Sequence, residues 1–269
     1  MLINGKPGNS ISIRDRGLLY GDGMFRTMRA VRGEILHWPL HYLKIQHDCL
    51  ALGITCPEEA LLRAEQDTLL AQHPDCVVKL IVTRGMGTRG YAPPANGEPT
   101  RIWDVSPLPQ YPADNALRGV KVRLCDLRLA MQPRLAGIKH LNRMENVLAA
   151  AEWHDPEIVE GLLLDNEGHV VEGTRSNLFL VSQGVLVTPK LSRCGVAGVQ
   201  RGRILAWALQ HGVTLQIRDV GLEEVRQADE LFLVNSIIGL WPVRELEQRR
   251  WLDFPFARRI RHELEGWSA

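Results

Sequence analysis

Charge of one sign, long apolar runs and paired cysteines are all scarce in this chain, and each scarcity removes a class of function. Its 269 residues hold 32 Lys plus Arg against 31 Asp plus Glu, a formal charge of +1 at pH 7. That balance leaves no basic field of the kind that dedicated nucleic-acid or membrane-surface binders use to meet phosphates. No apolar stretch approaches the roughly 20 residues that a bilayer-spanning helix needs. Residues 1–17 lack the apolar core of a signal peptide, and the expectation is a cytosolic protein. Cys49, Cys56, Cys76, Cys125 and Cys194 are odd in number and scattered without a CxxC pair, so neither a disulfide framework nor a thiolate zinc site is indicated. Low complexity is absent, as is any internal repeat with a period of roughly 20–50 residues. What is there is ordinary for a folded protein: 45% hydrophobic and 23% charged residues. The length fits one large domain or two smaller ones, at about 100–200 residues each.

Strand and helix patterns alternate along the chain, and two α/β domains are expected. A short strand, Leu2 to Asn4, turns at Gly5-Lys6-Pro7, and Gly17, Gly21 and Gly23 imply backbone in close approach to a neighbour. Helices are predicted over Pro39 to Leu52, stopped by Gly53, and over Glu58 to Gln72. The β-branched run from Val77 to Thr83 reads as a strand ending in the Gly-rich stretch Arg84 to Tyr91, and Arg101 to Val105 as another. Pro107, Pro109 and Pro112 favour extended, hydrogen-bond-poor backbone, which places an interdomain linker there. Beyond it come a strand at Val120 to Cys125 and a helix from about Asn142, where Asn142 and Glu145 have capping-box spacing. Gly161 to Asp165, His169 to Glu172 and Asn177 to Val181 read as strands. Val199 to His211 reads as an amphipathic helix, Leu231 to Ser236 as a buried strand and Phe256 to Leu264 as a terminal helix.

Some residues in these segments suit chemistry, each with a plainer alternative. Lys139 is flanked by apolar Leu135 and Ile138 just ahead of a predicted helix. A lysine so held can have a lowered pKa and attack a carbonyl carbon, although most lysines near helix starts are solvated. Glu172, at a strand end, suits a protonated heteroaromatic nitrogen, or else pairs with Arg175 across a turn. Cys194 to Arg201 leads through glycines into a helix whose first amides suit a phosphate, yet many helices begin this way without binding anything. Arg84, Arg89 and Tyr91 cluster where a guanidinium can clamp a carboxylate; the alternative is a solvated loop. His37 and His41 have the i, i+4 spacing of a metal pair, but Pro39 lies between them and no HExxH accompanies them, so no metal is expected. The basic stretch Arg258-Arg259-Ile260-Arg261 is balanced by Glu263 and Glu265 and reads as a solvated face rather than a nucleic-acid contact.

Taken together, these segments resemble the fold-type IV family of pyridoxal-phosphate enzymes, which includes branched-chain and D-amino-acid aminotransferases and aminodeoxychorismate lyases. The resemblance covers nearly the whole chain. It begins at Ile3-Asn4-Gly5 and runs through Asp15-Arg16-Gly17 and Tyr20 to Phe25. It continues in the lysine segment, in Glu172 with Ser176-Asn177-Leu178-Phe179, and in Gly198-Val199-Gln200-Arg201. Thr83 to Tyr91 and Leu135 to Arg143 resemble the lyase subgroup more than the transaminases. The resemblance implies a smaller N-terminal α/β domain (1–106), a linker (107–115) and a larger, β-barrel-like C-terminal domain (116–269), with pyridoxal 5'-phosphate in the cleft between them. It also implies a homodimer whose neighbouring subunit contributes to the pocket, in keeping with the cytoplasmic setting expected above.

Carried over by position, the resemblance makes Lys139 the residue that binds the cofactor covalently and shuttles protons, and Glu172 the partner of the pyridine nitrogen. Val199, Gln200, Ser236 and Lys44 would bind the phosphate, with Asn177 beside the cofactor. Arg89, with Tyr91 and Arg84, would bind a substrate with two carboxylates. The implied reaction is elimination from 4-amino-4-deoxychorismate to 4-aminobenzoate and pyruvate, on the route to folate. The chain departs from the family at Lys44, where arginine is usual; lysine keeps the charge and loses the fork. It departs again at Arg26, where transaminases commonly carry an acidic residue. The rivals are an aminotransferase with the same cofactor residues and a non-catalytic binding protein. Retention of both Lys139 and Glu172 speaks against the second.

Overall fold

The computed structural model describes residues 1–95 and 97–264; Glu265, expected to balance the basic stretch, lies outside them with the remainder of the C-terminus. The chain divides into two compact units: Met1–Pro109 together with Ile138–Asn142, and the rest. The structural division therefore falls between Pro109 and Gln110, and a short segment of the later chain belongs to the first unit.

The first unit contains β1 (Leu2–Ile3), β2 (Lys6–Pro7), α1 (Arg16–Tyr20), β3 (Gly23–Val31), β4 (Glu34–Ile35), α2 (Trp38–Leu52), α3 (Glu59–Leu70), β5 (Cys76–Thr83) and β6 (Thr100–Ser106). Its six strands form one antiparallel sheet in the order β2-β1-β6-β5-β3-β4. Strand β3, for which the sequence gives no expectation, pairs with β5 over its length from Gly23 to Ala30. Its buried face is Met24, Arg26, Met28 and Ala30, and the charge in that row hides the apolar alternation by which half-buried strands are recognised. Helix α2 turns Trp38, His41, Ile45, Asp48 and Cys49 inward, the spacing of one helical face. Pro39 sits in its first turn, where a missing N–H costs nothing. Glu65 of α3 ties the layer together, accepting from Arg101 Nη2 at 2.7 Å and from Trp103 Nε1 at 2.7 Å.

The second unit contains α4 (Asp114–Leu117), β7 (Val120–Leu129), α5 (Met144–Ala150), β8 (Ile158–Asp165), β9 (Val170–Gly173), β10 (Asn177–Ser182), β11 (Val185–Pro189), α6 (Val199–Gln210), β12 (Leu215–Arg218), α7 (Leu222–Gln227), β13 (Glu230–Asn235), β14 (Gly239–Leu246), β15 (Arg249–Arg250) and α8 (Pro255–Glu263). The main path of the nine-stranded sheet is β12-β11-β10-β13-β14-β7-β8-β9, with β15 paired to β14. Terminal β9 comes back against β10 and β11, so the sheet curls on itself. Leu178, Leu180, Leu231 and Leu233 fill the core, and Phe179 stacks on Phe232 at 5.2 Å. Each such side chain contributes about 1.5–3 kcal/mol when fully buried.

The expected capping box does not form. Helix α5 starts at Met144 with Arg143 as an N-cap that makes no side-chain cap bond. Asn142 Nδ2 instead donates to Gly21 O at 3.2 Å, and Glu145 Oε1 accepts from Ala130 N at 2.7 Å. Tertiary partners outside the helix take both side chains that the spacing would have paired.

Candidate active site

Residues Ile138–Asn142 run alongside the start of β3. Phe25 N donates to Lys139 O and Leu141 N to Gly23 O, both at 3.0 Å, and Met24 bridges His140. The Lys139 amine lies 4.6 Å from the centre of the Phe25 ring, within reach of a cation–π contact. The Lys139 backbone is thus held through its carbonyl, with a longer contact of 3.4 Å from its N–H to Asp48 Oδ2.

Asp48 was not singled out by the sequence. It is fully buried and accepts from Arg26 Nη2 and Lys44 Nζ as well. Burial alone would raise its carboxyl, but the two cations outweigh burial and hold it below the usual carboxylate range. Burial pulls Arg26 and Lys44 down, and the Asp48 charge opposes this. His41, buried beside Arg26, is driven down to about 3 by burial, then by Arg26 and His37, and is neutral at physiological pH. The available signal was positional. Asp48 stands four residues after Lys44 on the face of α2 that also carries Trp38, Ile45 and Cys49. Lys44, expected at a phosphate, has this carboxylate as its partner here.

In the second unit Glu172 stands one residue before the end of β9, at 3% exposure. Its Oε2 accepts from Val196 N at 2.8 Å and from Asn177 Nδ2 at 3.5 Å. Asn177, at the start of β10, also donates to Val196 O at 2.7 Å and accepts from Gly198 N at 3.0 Å. One amide therefore joins the carboxylate to the N-cap of α6. A Cβ on Gly198 would fall 2.5 Å from Asn177 Oδ1, so only glycine fits there. Helix α6 begins at Val199 and Gln200 with no side-chain cap and no acidic residue in its first turn, the condition in which a helix start favours an anion. The turn pairing of Glu172 with Arg175 is not what holds either residue: Arg175 donates to Val159 O and lies against Glu160. Arg143 and Arg201 are lowered by burial, Arg201 to about 10, and both are partly sustained by the Glu172 charge. Ser236 opens the turn after β13, where Asn235 Oδ1 accepts from Ile237 N and Ile238 N.

The loop after β5 separates its candidates. Arg84, expected near a substrate carboxylate, has partners within the protein: Nε donates to Asp22 Oδ2 at 2.8 Å, Nη2 to Leu52 O at 2.7 Å and Nη1 to Gly53 O. Its fork caps the end of α2 and is committed to the protein. Arg89 is exposed and Tyr91 is 86% exposed, its ring 5.4 Å from that of Tyr20. Among the described residues, Asp165, Glu167 and His169 have the closest approach to a metal-ligand set. Arg193 occupies that group, donating to Asp165 and contacting His169 at 3.2 Å.

Comparison with known proteins places this geometry in a family. Residues 23–246 match the family profile described as amino-transferase class IV. An aminodeoxychorismate lyase of Vibrio harveyi is 33% identical, covering 98% of this chain and 97% of its own. A putative branched-chain-amino-acid aminotransferase of Methanocaldococcus jannaschii is 31% identical over 92% of this chain and 88% of its own. The crystal structure of 4-amino-4-deoxychorismate lyase from Pseudomonas aeruginosa superposes with a TM-score of 0.94, at 48% identity and 98% coverage of each chain. With its curled sheet, its buried carboxylate near a strand end and a match spanning most of its length, this chain belongs to the amino-transferase class IV family.

Proposed function

We propose that the chain is a pyridoxal 5'-phosphate-dependent carbon–oxygen lyase that converts 4-amino-4-deoxychorismate to 4-aminobenzoate and pyruvate, a step of folate synthesis. The likeness to lyases over essentially the full length of the chain carries this reading. The residues present suit the cofactor: an amine on an anchored backbone, a buried carboxylate, and an uncapped helix start joined to that carboxylate by Asn177.

When bound, pyridoxal phosphate supplies an aldehyde for amines and a ring that accepts electrons as a substrate C–H bond breaks. Lys139 would hold the cofactor through its amine and would move the proton at the substrate carbon that carries the amino group. Glu172 would accept from a protonated pyridine nitrogen, its carboxylate being fixed by Val196 N and Asn177. Backbone donors at Val199 and Gln200, with Ser236, would bind the phosphate at the start of α6. Arg89 and Tyr91 bind the substrate carboxylates. Elimination of the enolpyruvyl ether leaves an aromatic ring, which supplies the driving force.

The aminotransferase reading is favoured by the 31% identity to the Methanocaldococcus jannaschii protein, and it would use the same cofactor residues. The two readings differ in what remains after one turnover. A lyase returns the cofactor as the aldehyde, whereas D-alanine or leucine converts an aminotransferase's cofactor to the amine. Equal amounts of 4-aminobenzoate and pyruvate, with no such conversion, are expected; conversion by either amino acid without 4-aminobenzoate would reverse the choice.

A homodimer is part of the proposal. Helix α5 exposes Met144, Val147 and Leu148, each more than half accessible, an apolar face suited to burial against a second copy. No helix among the described residues is long and apolar enough to cross a membrane. The five cysteines are free, which supports a reducing, cytoplasmic setting.

A further inference from the structure

We propose that Arg16 is a positioning residue for substrate binding, its buried guanidinium fixing the course of the loop that presents Arg89 and Tyr91. This rests on the reading above that those two side chains meet the substrate.

Arg16, the first residue of α1, is 3% exposed. Its Nη1 donates to Gly90 O at 3.0 Å and to Ala92 O at 3.3 Å, and its Nη2 to Tyr91 O at 2.8 Å. Its Nε donates to Asp22 Oδ2 at 2.7 Å. The carbonyls of three successive loop residues thus converge on one planar fork, a pattern that the point charge of a lysine cannot reproduce. With the carbonyls spent on Arg16, the side chains of the same stretch are left to solvent, Arg89 exposed and Tyr91 86% exposed.

The surroundings reinforce the fork. The guanidinium lies 4.9 Å from the centre of the Tyr20 ring, and Tyr20 Oη accepts from Gly90 N at 3.2 Å. A Cβ on Gly87 would lie 2.8 Å from Arg16 Cδ, so the loop can pass over the arginine stem only with glycine there. At the loop's other end Arg84 donates to the same Asp22 oxygen that Arg16 uses, and Arg16 N donates to Gly85 O at 2.9 Å. Asp22 therefore joins the cations that hold the loop at both its ends.

The test uses the full chain loaded with cofactor and compares Arg16→Lys, Tyr20→Phe, Arg89→Ala and Tyr91→Ala with the unmodified protein. Arg16→Lys is expected to raise KM for 4-amino-4-deoxychorismate about tenfold, the loss of at least one charge-assisted hydrogen bond. Its kcat and cofactor affinity stay unchanged, the mark of lost substrate binding rather than lost chemistry. Amide hydrogen exchange across residues 87–92 should quicken in the same variant while α2 and β5 remain protected. Tyr20→Phe, which removes only the bond to Gly90 N and leaves the core intact, should move KM and exchange in the same direction by a smaller factor. A purely structural role would lower thermal stability and cofactor affinity and leave KM alone. If Arg89→Ala raises KM but Arg16→Lys and Tyr20→Phe mobilise the loop without moving KM, the positioning role is overturned. If Arg89→Ala and Tyr91→Ala both keep the unmodified KM, the substrate reading itself falls and takes the proposal with it.

Discussion

A carboxylate without solvent is stable only in company, and Asp48 has Arg26 and Lys44. Removing one member of a buried ionic set strands the remaining charges, at a cost of about 3–5 kcal/mol. Asp48→Ala is therefore expected to lower unfolding free energy by that amount in urea titration; a loss under about 1 kcal/mol, the scale of exposed pairs, would contradict the burial of the set. The pH dependence has a definite sign. The folded carboxyl titrates below its unfolded value, so its stabilisation is complete above about pH 4 and is lost as pH falls through the folded value. Lys139 and Glu172 stood out in the sequence because each sits at a segment boundary beside small or apolar residues. Asp48 did not, because its role depends on Arg26, a residue on another element. Arg84 carries a related ambiguity: a guanidinium in a Gly-rich loop suits a ligand carboxylate as well as it suits Asp22 and two carbonyl oxygens, and local sequence does not distinguish them.

Helix α6 and strands β9 and β10 meet through Asn177, so a change at the start of the helix is transmitted to Glu172. Gly198→Ala places a methyl group against Asn177 Oδ1, displacing the amide that both the helix N-cap and the carboxylate use. An increase of about tenfold in the dissociation constant for pyridoxal phosphate, about 1.4 kcal/mol, is expected in an equilibrium titration. Unchanged affinity would show that the helix start is not part of the cofactor site. Elements with strong local signals were legible, among them α2, α3, β5, β10, α6 and α8, whose expected spans differ from the observed ones by a few residues at most. Strand β3 was not, because Arg26 interrupts its buried row. Strand β14 was missed as well: it pairs with β13 across the short turn at 236–238, but Pro242 within it argues locally against a strand.

At the scale of the whole chain, proline composition located the division only approximately. The expected linker at 107–115 overlaps the observed break after Pro109, but Tyr111 is already packed edge-on against Trp241 at 4.8 Å in the second unit. The return of Ile138–Asn142 to the first unit was invisible locally, since it consists of backbone hydrogen bonds to β3. If the apolar face of α5 is buried in a homodimer, Leu148→Asp should convert a species of twice the chain mass to one of the chain mass in light scattering; a monomeric unmodified protein would refute the dimer. The most direct measurement incubates the purified protein with pyridoxal phosphate and 4-amino-4-deoxychorismate and follows 4-aminobenzoate and pyruvate, beside a Lys139→Ala variant. Equimolar products that vanish in the variant are predicted. A protein that binds the cofactor through Lys139 and yet forms neither product would contradict the lyase assignment.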